Sequence, residues 1–111
     1  MATSPEYTEF VMDLLSPLEP GATPRKMFGG VGVFLDGIMF ALITSGDVLH
    51  FRVDEGNRPD YEAIEMSQFM RMPYFQAPAH ILEDQDQLAD WVEKAIAASR
   101  RAAAKKGKKR K

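Results

Sequence analysis

Between Met27 and Val53 the chain is written as three short apolar runs separated by turn residues, and this arrangement limits the fold more than any other feature. The first run, Met27 to Leu35, alternates, with Met27, Val31, Val33 and Leu35 on one side and Phe28 and Phe34 on the other. Asp36-Gly37 follows. A two-residue type I′ turn needs positive φ at both positions, so Asp-Gly between apolar runs predicts a β-hairpin. Ile38 to Thr44 is then the return strand, and Ser45-Gly46-Asp47 turns the chain again. Val48 to Val53 supplies a third strand, with Leu49, Phe51 and Val53 facing one way and His50 and Arg52 the other. The expected result is a three-stranded antiparallel meander.

Helices are expected on either side of it. Tyr7, Phe10, Val11, Leu14, Leu15 and Leu18 share one helical face, Ser4 is placed to cap, and Pro5 suits a first turn. Pro17 should stop this helix near Ser16, leaving residues 19–24 as a loop. A short helix over residues 58–65 begins at Asn57 as a cap, with Pro59 in its first turn. Residues 69–78 read as an extended edge strand, because Pro73 and Pro78 cannot donate to a ladder. Asp84 and Gln87 form a capping-box pattern ahead of Leu88, Trp91, Val92, Ala95, Ile96 and Ser99 at helical spacing. The fold class is α+β: an antiparallel sheet carrying an irregular or edge strand, with N- and C-terminal helices packed on it.

Charge divides the chain. Residues 100–111, RRAAAKKGKKRK, hold eight of the fourteen Lys and Arg and no acid. The preceding 99 residues hold the other six bases against sixteen acids, a balance of −10 that the overall −2 conceals. We therefore expect a folded domain over residues 1–99 and a frayed, solvated basic tail over residues 100–111. In that tail Arg100, Arg101, Lys105, Lys106, Lys108, Lys109, Arg110 and Lys111 would attract phosphate backbones without regard to base sequence. The rival reading folds the tail back on its own acidic body. The absence of cysteine excludes disulfides and thiolate chemistry and favours a reducing cytoplasm. The N-terminus lacks the pattern of a signal peptide, and the longest apolar run, Ile38 to Ile43, is six residues, so no membrane association is expected.

No catalytic set stands out. Gly32 and Gly37 have the spacing of a phosphate loop, but Ile38 and Met39 stand where its lysine and hydroxyl belong. A dinucleotide fingerprint starting at Gly30 and Gly32 fails at Leu35. Glycines inside a strand more often mark a bulge or a close approach. Arg25 and Lys26 would hold an anion beside that bulge, or simply begin a solvated strand. His50, beside Arg52, reads as a surface residue, and His80 lies near Glu83 and Asp84 with no metal-ligand spacing. No serine lies in a nucleophile elbow. Met66, Met70 and Met72 around Phe69 read as core filling. No metal or cofactor is expected.

The stretches RKMFGGVGVFLDGIMFALI, LHFRVDEGNRPDYEA and MPYFQAPAHILED, followed by a Trp-bearing helix, resemble the N-terminal domain of the TfoX/Sxy family over about residues 5–98. The resemblance implies an α+β fold similar to secretion-chaperone-like domains. It also implies a regulatory role, since TfoX proteins act in natural competence beside a cyclic-AMP receptor protein. It supplies no catalytic residue. The motif positions Arg25, Lys26, Met27, Phe28, Gly29, Gly30, Gly32, Asp36 and Gly37 are read as hairpin architecture and a partner surface. The expected function is thus a non-enzymatic interaction module, with a protein partner and sequence-blind nucleic-acid contact through the tail. Two rivals stand beside it. One is a small-ligand binder or enzyme with Arg25, Lys26, His50 and Arg52 around one pocket. The other is a homodimer paired through the edge strand at residues 71–77.

Overall fold

The computed structural model describes residues 4–27 and 29–109, with side chains of the last helix given through residue 105. The order is α1 (Pro5–Leu15), β1 (Thr23–Met27), β2 (Gly30–Leu35), β3 (Ile38–Thr44), β4 (Val48–Arg52), α2 (Arg58–Glu62), β5 (Tyr74–Gln76), a 3-10 turn (Ala79–Glu83) and α3 (Gln85–Lys109). All five strands pair antiparallel in sequence order, so the sheet is a meander with helices at both ends. The expected α+β class holds.

The sheet differs from the expectation at its start. Residues 23–27 form a separate strand, β1, and the hairpin into β2 closes across the Met27–Gly30 pair with Gly29 at φ +73°. Met27 therefore lies in β1. Its sulfur reaches over Gly32, on the opposite sheet face from buried Val31 and Val33. β1 is almost wholly exposed, and Pro24 is tolerated because only one side of the strand is paired. The turn at Asp36 (φ 53°) and Gly37 (φ 79°) has the two positive φ values of a type I′ hairpin. A register shift lies between Val33 and Phe34.

The core lies between the sheet and the helices. Val33 pairs with Ala41, Ala41 with Phe51 and Phe51 with Phe75, and all four are buried under the helices. α1 contributes Val11 and Leu15, whereas Phe10, assigned by spacing to the same face, is 46% exposed and leans on Tyr7. Ser4 caps α1 by accepting from the Tyr7 N–H (3.2 Å). Its own N–H and hydroxyl donate to the Asp47 carboxylate at 2.8 and 2.9 Å, which fixes the helix start to the β3–β4 turn. Asn57 does not cap α2: its side chain accepts from the Asp54 N–H (2.8 Å) and donates to the Arg52 carbonyl (3.0 Å). Asp84 caps α3 through the Gln87 N–H, and the Gln87 side chain returns to the Asp84 carboxylate.

α3 corrects the expectation of fraying after Ser99. Leu88, Val92, Ala95 and Ile96 dock on the core, and the helix then continues to Lys109 without a break. Alanines at 102–104 favour helix, and cations near a helix C-terminus complement its dipole. Arg110 and Lys111 lie outside the described residues, as does Phe28. Among the described residues no helix is long and apolar enough to cross a membrane.

Candidate functional site

The glycine-rich motif divides into two places. At one end of β2, Gly30 faces the carbonyl of Ile43 so closely that an added Cβ would clash with backbone. Gly32 lies under the sulfurs of Met27 and Met39, each 2.6 Å from where a Cβ would be. At the other end stands the Asp36-Gly37 turn. Gly30 and Gly32 thus make room for neighbours, whereas Gly29 and Gly37 supply positive φ in open turns. Arg25 stacks over the Phe34 ring at 5.4 Å, and the exposed side chains of Arg25 and Lys26 border a groove of about 630 Å³ beside α1. Its wall includes Pro5, Thr8 and Met12.

His50 and Arg52 do not join them. His50 is 6% exposed, which corrects the surface assignment: Phe69 covers it at 5.3 Å between ring centroids, and its Nδ1 is 3.2 Å from the Val48 carbonyl. Burial lowers its pKa, and the carbonyls of Val48 and Leu42 act weakly the other way. The four residues proposed around one pocket therefore do not converge. The edge that a strand-paired homodimer would use is also occupied. Gln76 N–H donates to the Ser67 carbonyl, Phe69 N–H donates to the Tyr74 carbonyl, and Gln68 bridges to Phe75.

The charge division acquires a geometry at the far end of α3. Arg101 grips Asp54 with two hydrogen bonds, Nε to Oδ2 at 2.6 Å and Nη2 to Oδ1 at 2.7 Å. The guanidinium holds the Asp54 carboxyl below the usual carboxylate range. Gly56 lies against Arg101, and a Cβ there would fall 2.6 Å from Nη2. Arg100 makes a looser contact with Asp36 at 3.4 Å. Two of the eight basic residues thus hold α3 to the acidic body. For Lys106, Lys108 and Lys109 the structure gives the helical backbone only.

Beside these pairs lies a second groove of about 660 Å³ between α3 and the β3–β5 end of the sheet. Arg52 and Lys105 both border it, and among the described residues no carboxylate does. Arg52 stacks over the Tyr74 ring at 5.6 Å, and its Nε is covered without an acceptor. The Tyr74 hydroxyl donates to the Met39 carbonyl (3.3 Å). Burial raises the Tyr74 pKa, and Arg52 beside it opposes that. The sequence does not expose this site: its patterning sets Arg52 beside Arg25 and leaves Lys105 in a tail expected to be loose. The one available signal was alanine at 102–104 carrying the helix onward. Among the described residues no three His, Asp or Glu lie together to hold a metal ion.

Comparison with known proteins follows the fold. No curated protein matches the chain. The family model described as TfoX N-terminal domain matches residues 13–99, from the last turn of α1 to the point where α3 leaves the core. The match spans the five-stranded meander, α2 and the docked part of α3, and the chain belongs to the TfoX N-terminal domain family.

Proposed function

We propose that the chain is a non-enzymatic regulatory module of the cytoplasm. Its acidic body contacts a protein partner, for which the family's link to transcription factors is the precedent. The basic end of α3 adds attraction to nucleic acid. One observation carries this reading: α3 runs from the core straight into the basic segment, so the charges stand on a helix anchored by Arg101 and Asp54. Four lysines follow within residues 105–109. Such a helix neutralises phosphates and releases counterions, so its affinity falls with salt and ignores sequence.

The test keeps the anchor. Lys105, Lys106, Lys108 and Lys109 are replaced by Gln together, with Arg100 and Arg101 retained, and binding to a mixed-sequence DNA duplex is titrated across salt. The full chain should bind with a steep salt dependence. The variant should lose about 0.9 in slope for each phosphate contact removed. Unchanged affinity and slope would refute the nucleic-acid part of the proposal. Circular dichroism at equal helix content separates lost charge from lost structure.

A further inference from the structure

We propose that the groove between α3 and the sheet is a binding site for a phosphomonoester, carried by a nucleotide or by the 5′ end of a strand. The body of this protein has sixteen acids against six bases, yet among the described residues the groove is bordered by Arg52 and Lys105 and by no carboxylate. The nearest acids are already engaged: Asp54 by Arg101 and Asp36 by Arg100. Lys105 also acts on Asp54, whose charge Arg101 offsets, and with Arg52 it leaves the groove net positive. A dianion matches two cations better than a carboxylate does.

Arg52 is poised for such a ligand. Its stem leaves β4 beside the Asp54 loop, and Tyr74 stacks against its head group. Among the described residues no carboxylate pairs with Arg52, and because its Nε is covered, the terminal Nη groups beside Tyr74 are the ones that would meet phosphate oxygens. The walls suit an organic body. Met39 and Met72 supply adaptable thioethers, and Ser99, Ala102 and Ala103 keep the helix side shallow. Ser99 is closed to the ligand, because its hydroxyl donates to the Ile96 carbonyl at 2.7 Å. Arg52, the grip of this site, lies on β4 and not among the lysines of α3.

The experiment titrates the full chain with AMP, adenosine and inorganic phosphate, followed by amide chemical shifts and calorimetry. AMP should bind at least about tenfold more tightly than adenosine, the scale of one charge-assisted hydrogen bond. Inorganic phosphate should displace it. Arg52→Met should erase the difference between AMP and adenosine, and Arg52→Lys should restore part of it. The Arg52→Met protein should keep its duplex affinity, so failure here and failure of the tail reading are distinguishable. A 5′-phosphorylated trinucleotide that outcompetes its unphosphorylated twin would assign the phosphate to a strand end. Equal binding of the twins would assign it to free nucleotides. No saturation by AMP up to about 10 mM, weaker than any useful ionic contact, would overturn the proposal. So would equal binding of AMP and adenosine, or an unchanged difference in Arg52→Met.

Discussion

Two neighbouring rows cross the same strands and are built from opposite materials. One runs Pro24, Val33, Ala41, Phe51, Phe75, and the next runs Arg25, Gly32, Leu42, His50, Gln76. The first is apolar, and from Val33 to Phe75 it lies beneath the helices, with Pro24 exposed at the edge. The second holds a cation, a glycine, an imidazole and an amide, yet Leu42 is 3% exposed and His50 hardly more. Its cover is irregular: Met27 and Met39 close over Gly32, and Phe69 from the segment after α2 lies on His50. A cavity of about 280 Å³ remains between that segment and the sheet, bordered by Leu42, Phe69 and Met72. One face is sealed by regular elements, the other by flexible side chains that leave space. Burial alone does not distinguish the faces, but tightness of packing does.

Truncation should break the symmetry most strongly. Phe51→Ala empties the tight face and should destabilise the fold by about 3–5 kcal/mol, measured by urea unfolding. Leu42→Ala, beside existing free volume, should fall at the lower end of large-to-small changes, about 2 kcal/mol. If Leu42→Ala cost as much as Phe51→Ala, the second face would be packed as tightly as the first.

Adding a methyl group sharpens the same contrast on one strand. Gly30 faces backbone that cannot withdraw, so Gly30→Ala should cost about 3 kcal/mol or prevent folding. Gly32 faces two thioether ends that can turn aside, so Gly32→Ala should cost about 1 kcal/mol. Equal losses in thermal melts would mean that the methionines are held as rigidly as a backbone.

The sequence displayed the tight face and concealed the other. Alternation located β2, β3 and β4, the Asp36-Gly37 turn was explicit, and Ser4 and Asp84 announced their helices. β1 escaped because Thr23, Pro24, Arg25 and Lys26 bear no apolar alternation: an exposed edge strand buries nothing that would mark it. His50 escaped because its cover comes from residues 66–72, which have no period to read. The extension of α3 escaped because its docking beyond Ser99 is ionic, through Arg100 and Arg101 to Asp36 and Asp54. Such pairs join residues distant in sequence, and no local spacing shows them. The second groove is made by that same extension, so it was invisible for the same reason.

The smallest effect is one of pH, and it belongs to the second row alone. Burial holds the His50 pKa below its ordinary 6.5, so the folded chain resists a proton that the unfolded chain accepts. The contribution to stability is complete above 6.5 and declines as pH falls through that value toward the lower folded one. It stops changing once both states are protonated. Unfolding midpoints should therefore fall between about pH 7.5 and 5.5, above the range where most carboxylates titrate. His50→Leu places an apolar side chain against Phe69 and Leu42 and should flatten that decline without lowering stability at neutral pH. A wild-type profile already flat over this interval would mean that water reaches the imidazole through the loose cover. The second face would then be open in solution where the first is closed.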